Sequence, residues 1–75
     1  MLLRWESEAS GRYYLVHIQE DLFGELTLRR VWGGGLHGRR GGERIECLSA
    51  DTLDRRLRAI DRVRRHRGYL PRAVA

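Results

Sequence analysis

Two runs of alternating side chains, set close together in the first half of the chain, limit what it can fold into. In Arg12-Tyr13-Tyr14-Leu15-Val16-His17-Ile18-Gln19-Glu20, the residues Tyr14, Val16 and Ile18 recur with period two. Side chains at that spacing share one face of a β-strand. Glu20 to Gly24 reads as a turn. The second run, Glu25-Leu26-Thr27-Leu28-Arg29-Arg30-Val31-Trp32, then puts Leu26, Leu28, Arg30 and Trp32 on one face. The runs are close enough to pair as an antiparallel hairpin, and Leu2 to Glu6 is expected to add a short strand before them.

The rest of the chain changes character twice. Six of the ten residues from Gly33 to Gly42 are glycine, which predicts a loop and not the interior of a regular element. Glu43 to Leu48 reads as a further strand with Ile45 and Cys47 on one face. Ser49 is a predicted helix N-cap. Leu53, Leu57 and Ile60 follow at i, i+4 and i+7, and Val63 extends the stripe, so one amphipathic helix should pack on the sheet. It should end near Gly68, a natural residue for the left-handed position after a helix, and Pro71 prevents continuation. The expected fold class is α+β, a single domain over residues 1–75. About four antiparallel strands would carry one C-terminal helix on one face.

A chain of 75 residues buries only about 60% of the surface its unfolded form exposes. One thin core is therefore expected, with little volume for a deep pocket. All 15 basic residues are arginine, against 10 acidic residues, for a net charge of +5. Residues 1–28 hold two arginines and five acids, whereas residues 29–75 hold 13 arginines and five acids. Base composition by itself can account for arginine in place of lysine; the asymmetry points to an anionic partner, although plain solubility accounts for it too. Cys47 is the only cysteine, so no intramolecular disulfide is expected. No signal peptide and no apolar stretch of membrane-spanning length is apparent, so the expectation is a cytoplasmic chain with no membrane role.

The helix carries Arg55, Arg58, Arg62 and Arg65 opposite its apolar stripe, as a basic ridge. Asp51, Asp54 and Asp61 each precede an arginine by four residues, the spacing of ion pairs on a solvated helix face. Solvation explains most of this ridge. Arginines in the last turn also complement the helix dipole. Residues 49–75 nevertheless hold eight arginines and three acids, a surplus that a phosphate backbone can use.

Trp32-Gly33 stands where a strand opens into the glycine-rich segment. A tryptophan there can offer a ring face for stacking, and glycines let a ligand come close. Its alternation with Leu26 and Leu28 supports a core role equally well. Arg39 and Arg40 lie at the far end of the loop. The candidate nucleic-acid-binding residues are Trp32, Gly33, Arg30, Arg39, Arg40 and Arg44 around the loop. Arg55, Arg58 and Arg62 on the ridge would add field more than recognition.

The order of these pieces resembles the WGR domain family, named for a Trp-Gly-Arg motif leaving a strand. The matching pieces are Tyr13-Tyr14-Leu15-Val16, Leu26 to Trp32-Gly33, the glycine loop to Gly42, Ile45 to Leu48, and Arg64-Arg65-His66-Arg67-Gly68-Tyr69. They span nearly the whole chain. The resemblance implies a small sheet with one helix, and DNA contact through Trp32 and basic residues near the loop, as at strand ends in DNA-dependent poly(ADP-ribose) polymerases. Gly34 stands where the family has its arginine, which helps connect DNA binding to neighbouring domains, and Gly35 where it usually has an aliphatic residue, so the arginine's role does not carry over.

Catalytic chemistry is missing from the inventory. His17, His37 and His66 fall on a strand, a loop and a helix end, without ligand spacing to Cys47. Cys47, alternating with Ile45, is expected to be a buried small hydrophobe. The loop lacks the Gly-Lys-Ser/Thr of a P-loop, though an anion nest of backbone N–H groups is open to it. No enzyme, metal or cofactor is expected. The partner expected first is nucleic acid, DNA before RNA, with strand ends as one form it could take. An acidic protein partner, or self-association through open sheet edges, is the alternative.

Overall fold

The computed structural model describes residues 1–35 and 41–73. Five strands, β1 (Leu2–Ser7), β2 (Arg12–Glu20), β3 (Leu26–Gly34), β4 (Gly42–Leu48) and β5 (Leu70–Arg72), form one antiparallel sheet in the order β4-β3-β2-β1-β5. One helix, α1 (Ala50–His66), lies on one face. The fold is the expected α+β layer pair.

Register explains which side chains meet the helix. Tyr14 pairs with Trp32, Val16 with Arg30, and Ile18 with Leu28 across β2 and β3. Partners in register point the same way, so the even positions of both strands face α1. Trp5 is the partner of Tyr14 on the other side. The core is Trp5, Tyr14, Val16, Ile18, Leu28, Ile60 and Tyr69, with Val16 and Leu28 fully buried. Leu53 and Leu57 pack against it from the helix. The Trp5 indole N–H donates to the Asp61 carboxylate at 3.0 Å, tying β1 to α1. This bond, aided by Arg65, holds the Asp61 carboxyl below the usual aspartate range against the opposing effect of burial.

Turn chemistry closes the central hairpin. The Asp21 carboxylate accepts from the N–H groups of Phe23 and Glu25 at 2.8 and 2.9 Å, a side-chain turn of the kind aspartate favours. Leu22 and Phe23 stand at its tip, 99% and 91% exposed.

The helix begins after Ser49, whose backbone is extended and whose carbonyl accepts from the Thr52 N–H. At the other end Gly68 takes a φ of +86°. Its N–H bonds the Arg65 carbonyl, and the Tyr69 N–H bonds that of Arg64. These two bonds are the Schellman arrangement. They reverse the chain, so Tyr69 drops back into the core and Leu70–Arg72 runs beside β1.

Three expectations need correction. A fifth strand exists: β5 is only three residues long and contains Pro71, so it carried no periodic signal. Pro71 lacks an N–H, which an edge strand tolerates. The glycine-rich segment is less of a loop than its composition predicts. Gly33 and Gly34 continue β3 opposite Tyr13 and Arg12, and Gly42 opens β4. Cys47 is exposed, not buried. It does share a face with Ile45, but register with β3 turns Gly42, Arg44, Glu46 and Leu48 toward the helix side, leaving Ile45 and Cys47 on the uncovered face.

Candidate functional site

The helix does not cover the whole inner face of the sheet. Beyond its C-terminus, where β2, β3 and β4 run toward the glycine segment, lies a cleft of about 590 Å³. Arg12 from β2, Arg30 from β3, Arg44 from β4, and Arg64 and Arg67 from the helix end all line it. The remaining walls are Tyr14, Trp32 and Tyr69, with Ser7, Ala9 and Ser10. Among the described residues, five arginines and no carboxylate form this lining.

The arginines converge because each stands at an inward position. Arg12 continues the even series of Tyr14 and Val16, and Arg30 stands between Leu28 and Trp32. Arg44 is the cross-strand partner of Arg30. Arg64 follows Ile60 by one helical turn, so it sits on the apolar stripe, not the ridge. Its guanidinium lies 4.3 Å from the Tyr14 ring centroid and 5.1 Å from that of Tyr69. Cation–π contact and the helix dipole both favour a cation there.

The cleft floor is aromatic and cationic together. Tyr14 and Trp32 are near-parallel, with centroids 6.1 Å apart and planes 13° apart. Gly42 makes room for the indole: a Cβ at Gly42 would stand 2.6 Å from its Cζ2 atom. Arg30 is deeply set, its side chain only 14% exposed. Its Nε and Nη2, and Nε of Arg12, are buried without a hydrogen-bond partner among the described residues. Glu46 approaches Arg30 Nη2 to 3.8 Å, too far for a hydrogen bond. That carboxylate is already engaged, accepting from Nε and Nη2 of Arg56 at 3.0 and 3.3 Å. Buried N–H groups without acceptors are rare and call for a ligand, an ion or water to complete them.

The sequence-predicted residues divide. Trp32, Arg30 and Arg44 meet in the cleft. Trp32 also packs against the core, as its alternation with Leu26 and Leu28 suggests. Gly33 falls on the opposite face of the sheet, where its missing Cβ accommodates the Tyr13 hydroxyl. Arg39 and Arg40 lie outside the described residues. Arg55, Arg58 and Arg62 are exposed on the helix, away from the cleft. Arg58 pairs with Asp54 and Arg65 with Asp61, whereas Asp51 and Arg55 form no ion pair. Arg12, Arg64, Arg67, Tyr14 and Tyr69 join the site unannounced. The inward parity of Arg12 and the helical spacing of Arg64 after Ile60 were the available signals.

Two further observations bear on chemistry. Gly34 has a φ of +79°, and a Cβ there would stand 2.9 Å from the Gly11 carbonyl oxygen. A side chain is therefore unfavourable at this position in this backbone. Among the described residues, no three of His, Cys, Asp and Glu gather as a metal would require, and no helix is long and apolar enough to cross a membrane. No family model matches the chain, and no curated protein or solved structure matches it either.

Proposed function

We propose that this chain is a nucleic-acid binding module that holds phosphate in the cleft beyond the helix C-terminus, without catalysis. One observation carries the reading. Arg12 and Arg30 line an arginine-rich cleft with no carboxylate among its described walls, and buried guanidinium N–H groups of both lack partners among the described residues. Guanidinium forks match phosphate oxygens in geometry and charge. Trp32 adds a stacking surface. The resemblance to WGR domains supports DNA as the first nucleic acid to test. The lone Cys47 suits the reducing cytoplasm where this reading puts the chain.

The test is fluorescence anisotropy with labelled DNA at two salt concentrations. Binding should weaken steeply as salt rises, because phosphate contacts release counterions. Arg44→Ala with Arg67→Ala should reduce affinity tenfold or more, at ~1.5–3 kcal/mol per charge-assisted bond lost. Arg58→Ala with Arg62→Ala should change it less than about threefold, as exposed charges contribute only long-range field. No binding at low salt removes the reading. Equal losses from both double variants reduce it to nonspecific attraction.

A protein-binding reading has its own support in Leu22 and Phe23 at the hairpin tip, almost wholly exposed. It predicts that Phe23→Ser, and not the cleft variants, abolishes partner capture.

A further inference from the structure

We infer that the cleft accepts an unpaired nucleotide of a single strand and does not accept the backbone of an intact duplex. The inference rests on the phosphate-binding reading above and names the form of nucleic acid.

Depth is the first reason. Arg30 lines the cleft with a side chain only 14% exposed, so the part of its guanidinium that a ligand can meet lies at the floor. Arg44 and Arg67 are exposed and lie at the rim. In a duplex the phosphates sit on a stiff cylinder flanked by their sugars and neighbours, so they can meet rim arginines but cannot descend to the floor. A single strand rotates freely about its backbone bonds and can turn a phosphate inward.

The aromatic surface is the second reason. Trp32 lines the cleft beside Tyr14, nearly parallel to it, and makes a flat platform of the kind on which single-stranded bases stack. Paired bases already use both faces inside the duplex and have none to offer. An unpaired base can lie on Trp32 while its own phosphate reaches Arg30. Size agrees: about 590 Å³ falls within the roughly 300–1,000 Å³ typical of sites for small organic ligands. One nucleotide is of that class, and a duplex is not.

The experiment uses the full chain and three probes: a labelled oligothymidylate, a hairpin-capped duplex with no free ends, and unlabelled thymidine monophosphate as competitor. Anisotropy should show the single strand binding at least tenfold tighter than the duplex at matched salt. Tryptophan emission should be quenched by the single strand and not by the duplex. Trp5 is buried in the core, so accessible quenching reports Trp32. Trp32→Leu should abolish the tenfold preference, and circular dichroism establishes that this variant is folded. If it unfolds, the quenching contrast in the unaltered chain still decides the matter.

Duplex binding equal to or tighter than single-strand binding overturns the inference. If that duplex binding also weakens in Arg44→Ala with Arg67→Ala, the phosphate-binding reading survives while this one falls. Absence of binding to either probe removes both. Competition by the monophosphate as strong as by the oligonucleotide, unit for unit, overturns the strand as the source and leaves a free nucleotide in its place.

Discussion

The arginines of this chain occupy two environments that differ in nearly everything except their charge. On the outer face of the helix, Arg58 and Arg65 stand in water and bond to aspartates one turn earlier. In the cleft, Arg12 and Arg30 are recessed and hold N–H groups that nothing among the described residues accepts. Exposed pairs of the first kind contribute about 0.3–0.5 kcal/mol. A recessed guanidinium whose N–H groups lack acceptors carries a desolvation cost that a carboxylate 3.8 Å away, Glu46 beside Arg30, offsets only in part. The same residue type is therefore a solvated surface in one place and a recessed cleft lining in the other, and depth and hydrogen bonding distinguish them where net charge does not.

Arg30→Met gives the largest contrast. Methionine fills similar space without desolvating a charge, and Glu46 keeps its bonds to Arg56. Two opposite effects are expected. Affinity for nucleic acid should fall at least tenfold, while stability without ligand should rise by about 1 kcal/mol. In a domain this size the rise corresponds to roughly 4–8 °C in melting temperature. Calorimetry of the free protein and anisotropy of the complex check both halves. A lower melting temperature would show that Arg30 is a structural cation, and the contrast with the ridge would collapse.

Gly42→Ala comes next in size. The added methyl would overlap the indole of Trp32, so the ring must leave its place over β4. Affinity should drop several-fold and the tryptophan emission maximum should move, although no arginine has changed. Unchanged emission and binding would separate the aromatic platform from the site and leave the cleft purely electrostatic.

How far the sequence anticipated this division depends on what each residue needs from distant parts of the chain. The hairpin and the amphipathic helix follow from local periodicity, and both formed where the spacing predicted. Arg30 was legible as a cation on a core-facing strand position. Arg12 obeys the same parity but stands at the strand start, where alternation has few neighbours to be measured against. Arg64 looked like one more member of a basic helix end. Its position on the apolar stripe matters only because the sheet beneath it carries Tyr14, and no local pattern reveals that. Tyr69 enters through the reversal at Gly68, and β5 through pairing with β1, both tertiary events. Cys47 was misread for a related reason. On an edge strand beyond the helix, the inward face is Arg44 and Glu46, so the apolar alternation of Ile45 and Cys47 marks the uncovered side.

The ridge offers smaller tests. Asp54→Ala breaks a pair whose members are about three-quarters exposed, and less than about 0.5 kcal/mol should be lost. The melting temperature should stay within a few degrees of the unaltered chain, and nucleic-acid affinity should hold or rise slightly. A large loss would mean that the ridge is organised more tightly than solvated pairs allow.

Asp61 is the ridge carboxylate that reaches the core, and its titration separates surface pairing from anchoring. The Trp5 indole N–H, then Arg65, hold its pKa below the ordinary aspartate value of about 3.9. A carboxyl with a lower pKa in the folded state than in the unfolded state stabilises the fold fully above the unfolded value. That contribution disappears as pH falls through the folded value. Asp61→Asn retains an oxygen to accept from Trp5 but carries no charge. The unaltered chain should therefore exceed the variant in melting temperature at neutral pH, by a small margin because this side chain is 38% exposed. The margin should close as the acid limb is crossed, since the other carboxylates titrate alike in both proteins. Paired melts across that range provide the measurement. A margin that stays constant with pH would assign the effect to packing at Trp5. No margin at any pH would make Asp61 a surface residue like Asp54, and the ridge would then have no electrostatic hold on the core at all.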